Sequence, residues 1–328
     1  MRLEKYFIKI AIVLTYVVLG GFWNSCYSSS YDFIVAQDGS GDYKTVQEAI
    51  NAVPDFRKNT TVIYLKSGIY KEKLILSASK NKVKLIGEDV NNTIITYDDF
   101  ASKKNFFGEE MGTTGSSSFF IFGNEFSAEN ISFQNTSGSV GQAVAVRADG
   151  DMLSFFNCRF LGFQDTLYPH GKKSRQYYKN CYIEGTVDFI FGWSTAVFQD
   201  CEIFCKSPGY ITAASTLEET SYGFVFINCN ISGNAPSASV YLGRPWRPYS
   251  KTAFIECQID SLVKKQGWHN WNKKEAENTV TYVEYKNTGK GANLKGRVQW
   301  AKQLTMSERA QYTLDNIFEG WIPEYVNK

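Results

Sequence analysis

Lys179-Asn-Cys-Tyr-Ile183 and Gln199-Asp-Cys-Glu-Ile203 state one phrase twice in close succession, and it stands again at Phe156-Asn-Cys-Arg-Phe160, Ile227-Asn-Cys-Asn-Ile231 and Ile255-Glu-Cys-Gln-Ile259. Each copy has an Asn, Asp or Glu, then Cys, then an apolar residue two positions on. Glu129-Asn-Ile-Ser-Phe133 has the same form with Ile131 in the Cys place. From Ile131 onward the spacings are 27, 23, 20, 28 and 28 residues, which is the coil length of a solenoid with loops of variable size. A coil that short must bury its inward residues against the coils above and below it. Alternation of period two, with Val, Ile, Phe and Tyr dominating, makes these coils strands rather than helices. The expected fold is therefore all-β, a parallel β-helix.

Parallel stacking puts equivalent residues about 4.8 Å apart from coil to coil. Ile131, Cys158, Cys181, Cys201, Cys229 and Cys257 then form an inward ladder, and Asn157, Asn180, Asp200 and Asn228 a polar ladder at a turn. The spacing lies within reach of a disulfide, but side chains in such a ladder point the same way, so free buried thiols are expected. A metal site is not expected, because no close Cys-x-x-Cys pair accompanies them and only Cys201 and Cys205 are near neighbours.

The rest of the chain supports one solenoid. With 328 residues, 43% hydrophobic and 16% aromatic, it has material for a large core and no disordered or collagenous bias. Residues 1–26 differ: Arg2, Lys5 and Lys9 precede the apolar run Ile10–Leu19, too short for a membrane span, and the segment reads as a secretory signal. Cys26 after Ser25 also allows a bacterial lipoprotein reading with an acylated Cys26. Residues 27–328 are expected to form a single domain. Three of the 35 Lys and Arg and one of the 33 Asp and Glu lie in the first 26 residues, so the remainder is electrically balanced. A basic face for nucleic acid is unsupported, and no transmembrane span is expected in the mature chain.

In chain order, Phe33–Ala36 gives a strand before a glycine-rich turn, and Thr45–Val53 carries a helical apolar spacing that ends at Pro54. That helix is expected to cap the open end of the solenoid, where an unpaired strand edge needs cover. Val62–Leu65, Tyr70–Leu76, Val83–Ile86 and Thr93–Thr96 supply the first coils. Asp98–Ser118 reads as a loop that walls a groove. After Ile259 the repeat decays, and Ser307–Phe318 is expected to be a terminal helix.

The chain has only His170 and His269 and no Gly-x-Ser-x-Gly, so a serine hydrolase with a His base has almost no material here. His170, beside Pro169, reads as a loop residue. Phosphate-cradling glycine motifs are absent too. What clusters is carboxylate, carboxamide and guanidinium: Asp165 in Gly162-Phe-Gln-Asp-Thr-Leu, Asp188 in Gly185-Thr-Val-Asp-Phe-Ile-Phe-Gly192, Gln164, Gln142 in Gly141–Arg147, and Arg244 in Tyr241-Leu-Gly-Arg-Pro-Trp246. An Asp among strand-forming apolar residues is costly unless paired or used. The two aspartates are expected to face each other across neighbouring coils.

These four motifs stand in the order seen in pectin methylesterases, which the chain resembles. Val35–Ile50, Gly68–Glu72 and Trp321–Pro323 extend the resemblance over nearly the whole mature chain. It implies a right-handed parallel β-helix that hydrolyses methyl esters of polygalacturonate without a cofactor. It also implies Asp188 as nucleophile, Asp165 as general acid and then base, Gln142 and Gln164 as oxyanion donors, and Arg244 holding Asp188. Trp246 is expected to stack on a sugar ring, and Phe189 is a further candidate for substrate contact. Gly112-Thr-Thr-Gly115 is a looser match, and Thr113 and Thr114 are not placed in the site. The implied partner is methyl-esterified homogalacturonan, the implied location secreted, periplasmic or cell-surface, and a monomer is expected.

The residue types suit ester hydrolysis on their own terms: a nucleophile, donors for the forming oxyanion and a proton for leaving methanol are all present without His. Arg244 is expected to lower the Asp188 pKa, while burial and the Asp188 charge raise that of Asp165. Other readings remain at this stage: an interior polar ladder of glutamines beside a structural Asp188–Arg244 pair, an esterase or thioesterase acting on a different ester, or a non-catalytic carbohydrate-binding solenoid. A lyase would need a calcium cluster and a glycosidase an acid pair without carboxamide donors.

Overall fold

The computed structural model describes residues 31–328, which form one compact unit. The expected signal and Cys26 lie outside the described residues. The coil that begins at Leu153 states the local logic. Leu153–Phe156 is a strand, Asn157 turns the chain, Arg159–Leu161 runs on a second face, and Leu167–Pro169 on a third. The next coil repeats this with Arg175–Lys179, Asn180 and the long strand Tyr182–Gly192. Among the described residues every strand pairing is parallel, giving an 11-stranded sheet and a 13-stranded sheet that wraps the other two faces. This is a parallel β-helix, wound in the right-handed sense that parallel crossovers take.

The repeated phrase is the corner between faces. Asn130, Asn157, Asn180, Asp200, Asn228 and Glu256 all take φ between 48° and 58°, the left-handed region that short amide and acid side chains tolerate best. One such residue redirects the strand and turns the next side chain inward. Cys158, Cys181, Cys201, Cys229 and Cys257 are accordingly buried free thiols in the core, with Ile131 on the same ladder. Each thiol reaches a carbonyl of the preceding coil, as Cys229 Sγ does to Phe198 O at 3.2 Å. Beside them Phe155, Tyr178, Phe198, Phe226 and Phe254 stack face to face at 4.4–4.8 Å, the coil spacing itself.

The helix Val46–Ala52 closes the first coil as expected. Thr45 and Glu48 form a capping box, Val46, Ala49 and Ile50 are buried, and the Glu72 carboxylate accepts from the Val46 and Gln47 amides at 2.9 and 3.0 Å. The stretch Tyr70–Leu76 divides into two strands, Gly68–Lys71 and Leu74–Leu76, on different faces, because Glu72 and Lys73 form a corner.

Two expectations for the C-terminal end need correction. The repeat does not stop at Ile259: Thr281–Tyr285 pairs in register with Lys251–Ile255. Lys286 occupies the left-handed corner with φ 44°, and Asn287 follows it, accepting from the Cys257 amide at 2.9 Å through Oδ1. The terminal helix is two short helices, Met306–Arg309 and Leu314–Phe318, each with its own threonine cap, Thr305 and Thr313. Ile317 and Phe318 bury against Tyr177 and Val197 on the outer face of the 11-stranded sheet.

Candidate active site

Asp165 and Asp188 also have left-handed backbones, with φ 64° and 51°. They sit on adjacent coils: the Asp165 amide donates to Val187 O at 3.1 Å, and two residues on Leu167 pairs with Ile190. The strand Tyr182–Gly192 loses register against its neighbour between Gly185 and Ile190, and such a bulge re-aims side chains. Gly185 permits it, since a Cβ there would lie 2.2 Å from the Phe189 Cβ. The two carboxylates thus meet across neighbouring coils in a cleft of about 560 Å³, which Gln142, Gln164, Arg244 and Trp246 also line.

Arg244 grips Asp188 in a fork, Nε to Oδ1 at 2.9 Å and Nη2 to Oδ2 at 2.6 Å. The guanidinium lies between the rings of Tyr210 and Trp271, 3.9 and 3.7 Å from their centroids. Asp165 has no side-chain hydrogen bond among the described residues. Both carboxylates are nearly closed off, with 7% of Asp165 and 5% of Asp188 exposed. Burial and the charge of Asp188 hold the Asp165 carboxyl well above its ordinary value, against the pull of Arg244. The Asp188 carboxyl is raised too, which corrects the expected lowering: burial outweighs the hydrogen bonds from Arg244 and the positive charges of Arg244 and Lys273.

Gln142 and Gln164 bridge neighbouring coils side by side. Gln142 is exposed and Gln164 half-buried, so they are not an interior ladder, and neither carboxamide has a protein partner among the described residues. Trp246 faces the cleft, its ring 6.3 and 6.0 Å from those of Tyr168 and Phe191, which stack on each other at 4.0 Å. Phe189 does not belong to the site. It is fully buried in the central core, because the bulge turns Asp188 and Phe191 outward and the residue next to Asp188 inward.

Among the lining residues that sequence reading missed are Thr113, Thr114, Tyr168, Phe191 and Trp271. Tyr168 and Phe191 each follow a site aspartate by three positions, a signal that was present. Thr113 and Thr114 depend on the loop that starts at Asp98, which Lys73 ties down by binding Asp99 Oδ2 at 2.5 Å and Gly115 O at 2.7 Å. Among the described residues no group of side chains could hold a metal ion, and no helix is long and apolar enough to cross a membrane.

The pectinesterase family model matches residues 32–320. Pectinesterase 31 of Arabidopsis thaliana is 44% identical over 285 residues, covering 85% of this chain and 89% of its own. Several longer curated relatives are matched over about half their length. Among solved structures, pectin methylesterase from carrot superposes with a TM-score of 0.81 at 36% identity, covering 89% of this chain and 94% of its own. A pectin methylesterase in complex with a hexasaccharide gives 0.78 at 29%, covering 90% and 98%. The corner repeat, the paired aspartates and these likenesses agree, and the chain belongs to the pectinesterase family.

Proposed function

We propose that this protein hydrolyses the methyl esters of polygalacturonate, releasing methanol and leaving free carboxylates on the polymer. The observation that carries this reading is the gathering of two buried carboxylates of unequal acidity with two uncommitted carboxamides in one aromatic-walled cleft. The hexasaccharide complex of a similar pectin methylesterase supports an extended saccharide as the ligand.

Asp188, ionised and aimed by Arg244, forms a C–O bond to the ester carbonyl carbon. The carbonyl electrons move to oxygen, where the Gln142 and Gln164 amide N–H groups donate to the oxyanion. These neutral donors keep their protons at any working pH. Collapse expels methoxide, which takes the Asp165 proton and leaves as methanol. The acyl-enzyme is a mixed anhydride that water attacks readily. Asp165, now a carboxylate, removes a proton from that water, and Asp188 departs. Burial of Asp188 makes its carboxylate more basic and hence a stronger nucleophile. The fork from Arg244 keeps it the more acidic of the two, since Asp165 has no such partner among the described residues.

Residues 1–26 act as the export signal, residues 27–328 as the single enzymatic domain, and the protein works as a monomer at or beyond the cell surface, where this polymer lies. Cys26 is the point of lipid attachment if the leader is of the lipoprotein kind, which mass analysis of the mature N-terminus decides. The deciding assay is methanol release from methylated pectin against pH, for wild type and Asp165→Asn. Wild type is expected to turn over and to lose rate on the alkaline side, where Asp165 gives up its proton. A mutant that kept the wild-type rate and alkaline limb would overturn the two-aspartate mechanism. A wild type active only on other esters would move the substrate class.

A further inference from the structure

The outward row that carries Phe191 and Tyr168 continues past the cleft. Tyr168 pairs in register with Arg147, and Arg147 with Phe120, so Arg147 lies one coil further toward the N-terminal end, about 4.8 Å along the solenoid. Its guanidinium carbon is 5.7 Å from the Tyr168 ring centroid. Arg147 grips Asp149 through Nε to Oδ2 at 2.7 Å and Nη2 to Oδ1 at 2.9 Å. His170 joins the same carboxylate, Nδ1 to Oδ1 at 2.6 Å. The imidazole also packs edge-on to Tyr168 and flat on Trp193, at 4.7 Å from each. All three polar side chains stay open to solvent, between 15% and 19% exposed.

An ionised carboxylate only accepts, so the His170 Nδ1 carries the proton in this contact. Burial pushes the Asp149 carboxyl up, but the hydrogen bonds from His170 and Arg147 outweigh it and hold it below its ordinary value. The Arg147 charge is thus committed within the chain. Arg147 and Asp149 cancel each other's charge, so the pair offers polar groups beside an aromatic edge and no uncommitted cation.

A polymer lying along this row puts successive sugars over successive coils, and the sugar over this cluster carries either a methyl ester or a free carboxylate. We propose that Arg147, Asp149 and His170 form a flanking sugar site that accepts a methyl-esterified uronate and disfavours a free one, with Asp149 as the specificity-determining residue; this rests on the pectin-ester reading above. A free carboxylate would meet the Asp149 charge with its natural partner already engaged, and like charges brought together at a partly desolvated contact discriminate strongly. A methyl ester meets the same pair as a neutral hydrogen-bonding surface. The enzyme then slows beside its own products on this side and spreads free acids rather than lengthening a run of them.

The test compares kcat/KM on fully methylated oligogalacturonides with that on oligomers carrying free carboxylates next to the remaining esters, at one fixed pH and ionic strength. Wild type is expected to prefer the fully methylated set. Asp149→Asn keeps the acceptor for His170 and frees the Arg147 charge, so the preference should shrink by roughly fivefold, the scale of one partly exposed charge contact. Arg147→Gln leaves Asp149 unmatched and should widen it, and added salt should narrow both differences. Variants that change both substrates by one common factor, or a wild type that prefers the partly de-esterified oligomers, overturn the proposal. No methanol from either substrate with wild-type enzyme would instead overturn the functional reading on which it rests.

Discussion

The corner that carries the cysteines and the bends that carry the two aspartates share one backbone device, a left-handed Asn, Asp or Glu in a parallel coil. On the cysteine side the device recurs from Asn130 to Glu256 with φ nearly constant, and several of its side chains bind one another. Asn157 donates to Asn130 at 2.7 Å and Asn228 to Asp200 at 2.5 Å. On the cleft side it marks Asp165 and Asp188, where register slips and one carboxylate has no hydrogen-bonding partner among the described residues. A residue that satisfies its neighbour on every coil belongs to the architecture. One that breaks the pattern, stays buried and keeps its atoms free is carrying an energetic cost that function explains.

The contrast breaks hardest at Asp188. Asp188→Asn should lower kcat by at least about a thousandfold, as loss of a nucleophile does, with thermal unfolding close to wild type because the amide still accepts from Arg244. Asp188→Ala should in addition cost about 3–5 kcal/mol, since it strands a buried guanidinium; chemical denaturation measures this, and an unchanged midpoint would mean that water replaces the lost partner. Arg244→Lys keeps the charge but loses the planar fork that aims Asp188 and stacks on Tyr210 and Trp271. A loss of about a hundredfold in kcat is expected, the scale of a small misplacement of a reacting group. Turnover near wild type would leave Arg244 a structural partner only.

The cysteine side should respond in the opposite manner. Phe198 lies stacked between Tyr178 and Phe226 at 4.7 and 4.6 Å, with none of its surface exposed. Phe198→Ala should cost about 3–5 kcal/mol of stability while the folded fraction keeps its kcat. A selective loss of kcat at full folding would mean that the two sides are mechanically coupled.

What the sequence disclosed follows the same division. The ladder was legible because inward positions accept few residue types and the corner accepts fewer, so Cys158 to Cys257 announced themselves. The last coil was hidden because Asn287 follows the corner where the others place Cys, and because Lys286 is not a residue that advertises a left-handed turn. Thr313 split the terminal helix through a local cap that the apolar spacing did not reveal. At the site, Asp165, Asp188 and Arg244 were readable from their motifs. Phe189 was not, because a bulge decides which of two neighbouring residues faces out. The acidity of Asp188 was misjudged for a related reason: the sequence names its cationic partner but not the depth of burial that outweighs it.

The finest test of the comparison is Lys273, which no repeat calls for. Its Nζ donates to the carbonyls of Pro245 and Trp246 at 3.1 and 3.0 Å and lies 4.7 Å from the centroid of the Trp271 ring. It therefore braces the turn that follows Arg244, and its charge favours the ionised form of Asp188 against the dominant effect of burial. Lys273→Met removes that help, so the Asp188 pKa should rise further. Because Asp188 must be ionised to attack, the acidic limb of kcat/KM should move to higher pH, by a fraction of a unit, since the ammonium makes no direct bond to the carboxylate. The alkaline limb, set by loss of the Asp165 proton, should move less. Stability carries the same sign: a carboxyl raised on folding favours the native state fully below its unfolded pKa and loses that advantage as pH rises through the folded value. The mutant should therefore lose somewhat more stability than wild type on going from acidic to neutral pH. A higher KM with an unmoved acidic limb would show that Lys273 acts only by holding Trp246 in place.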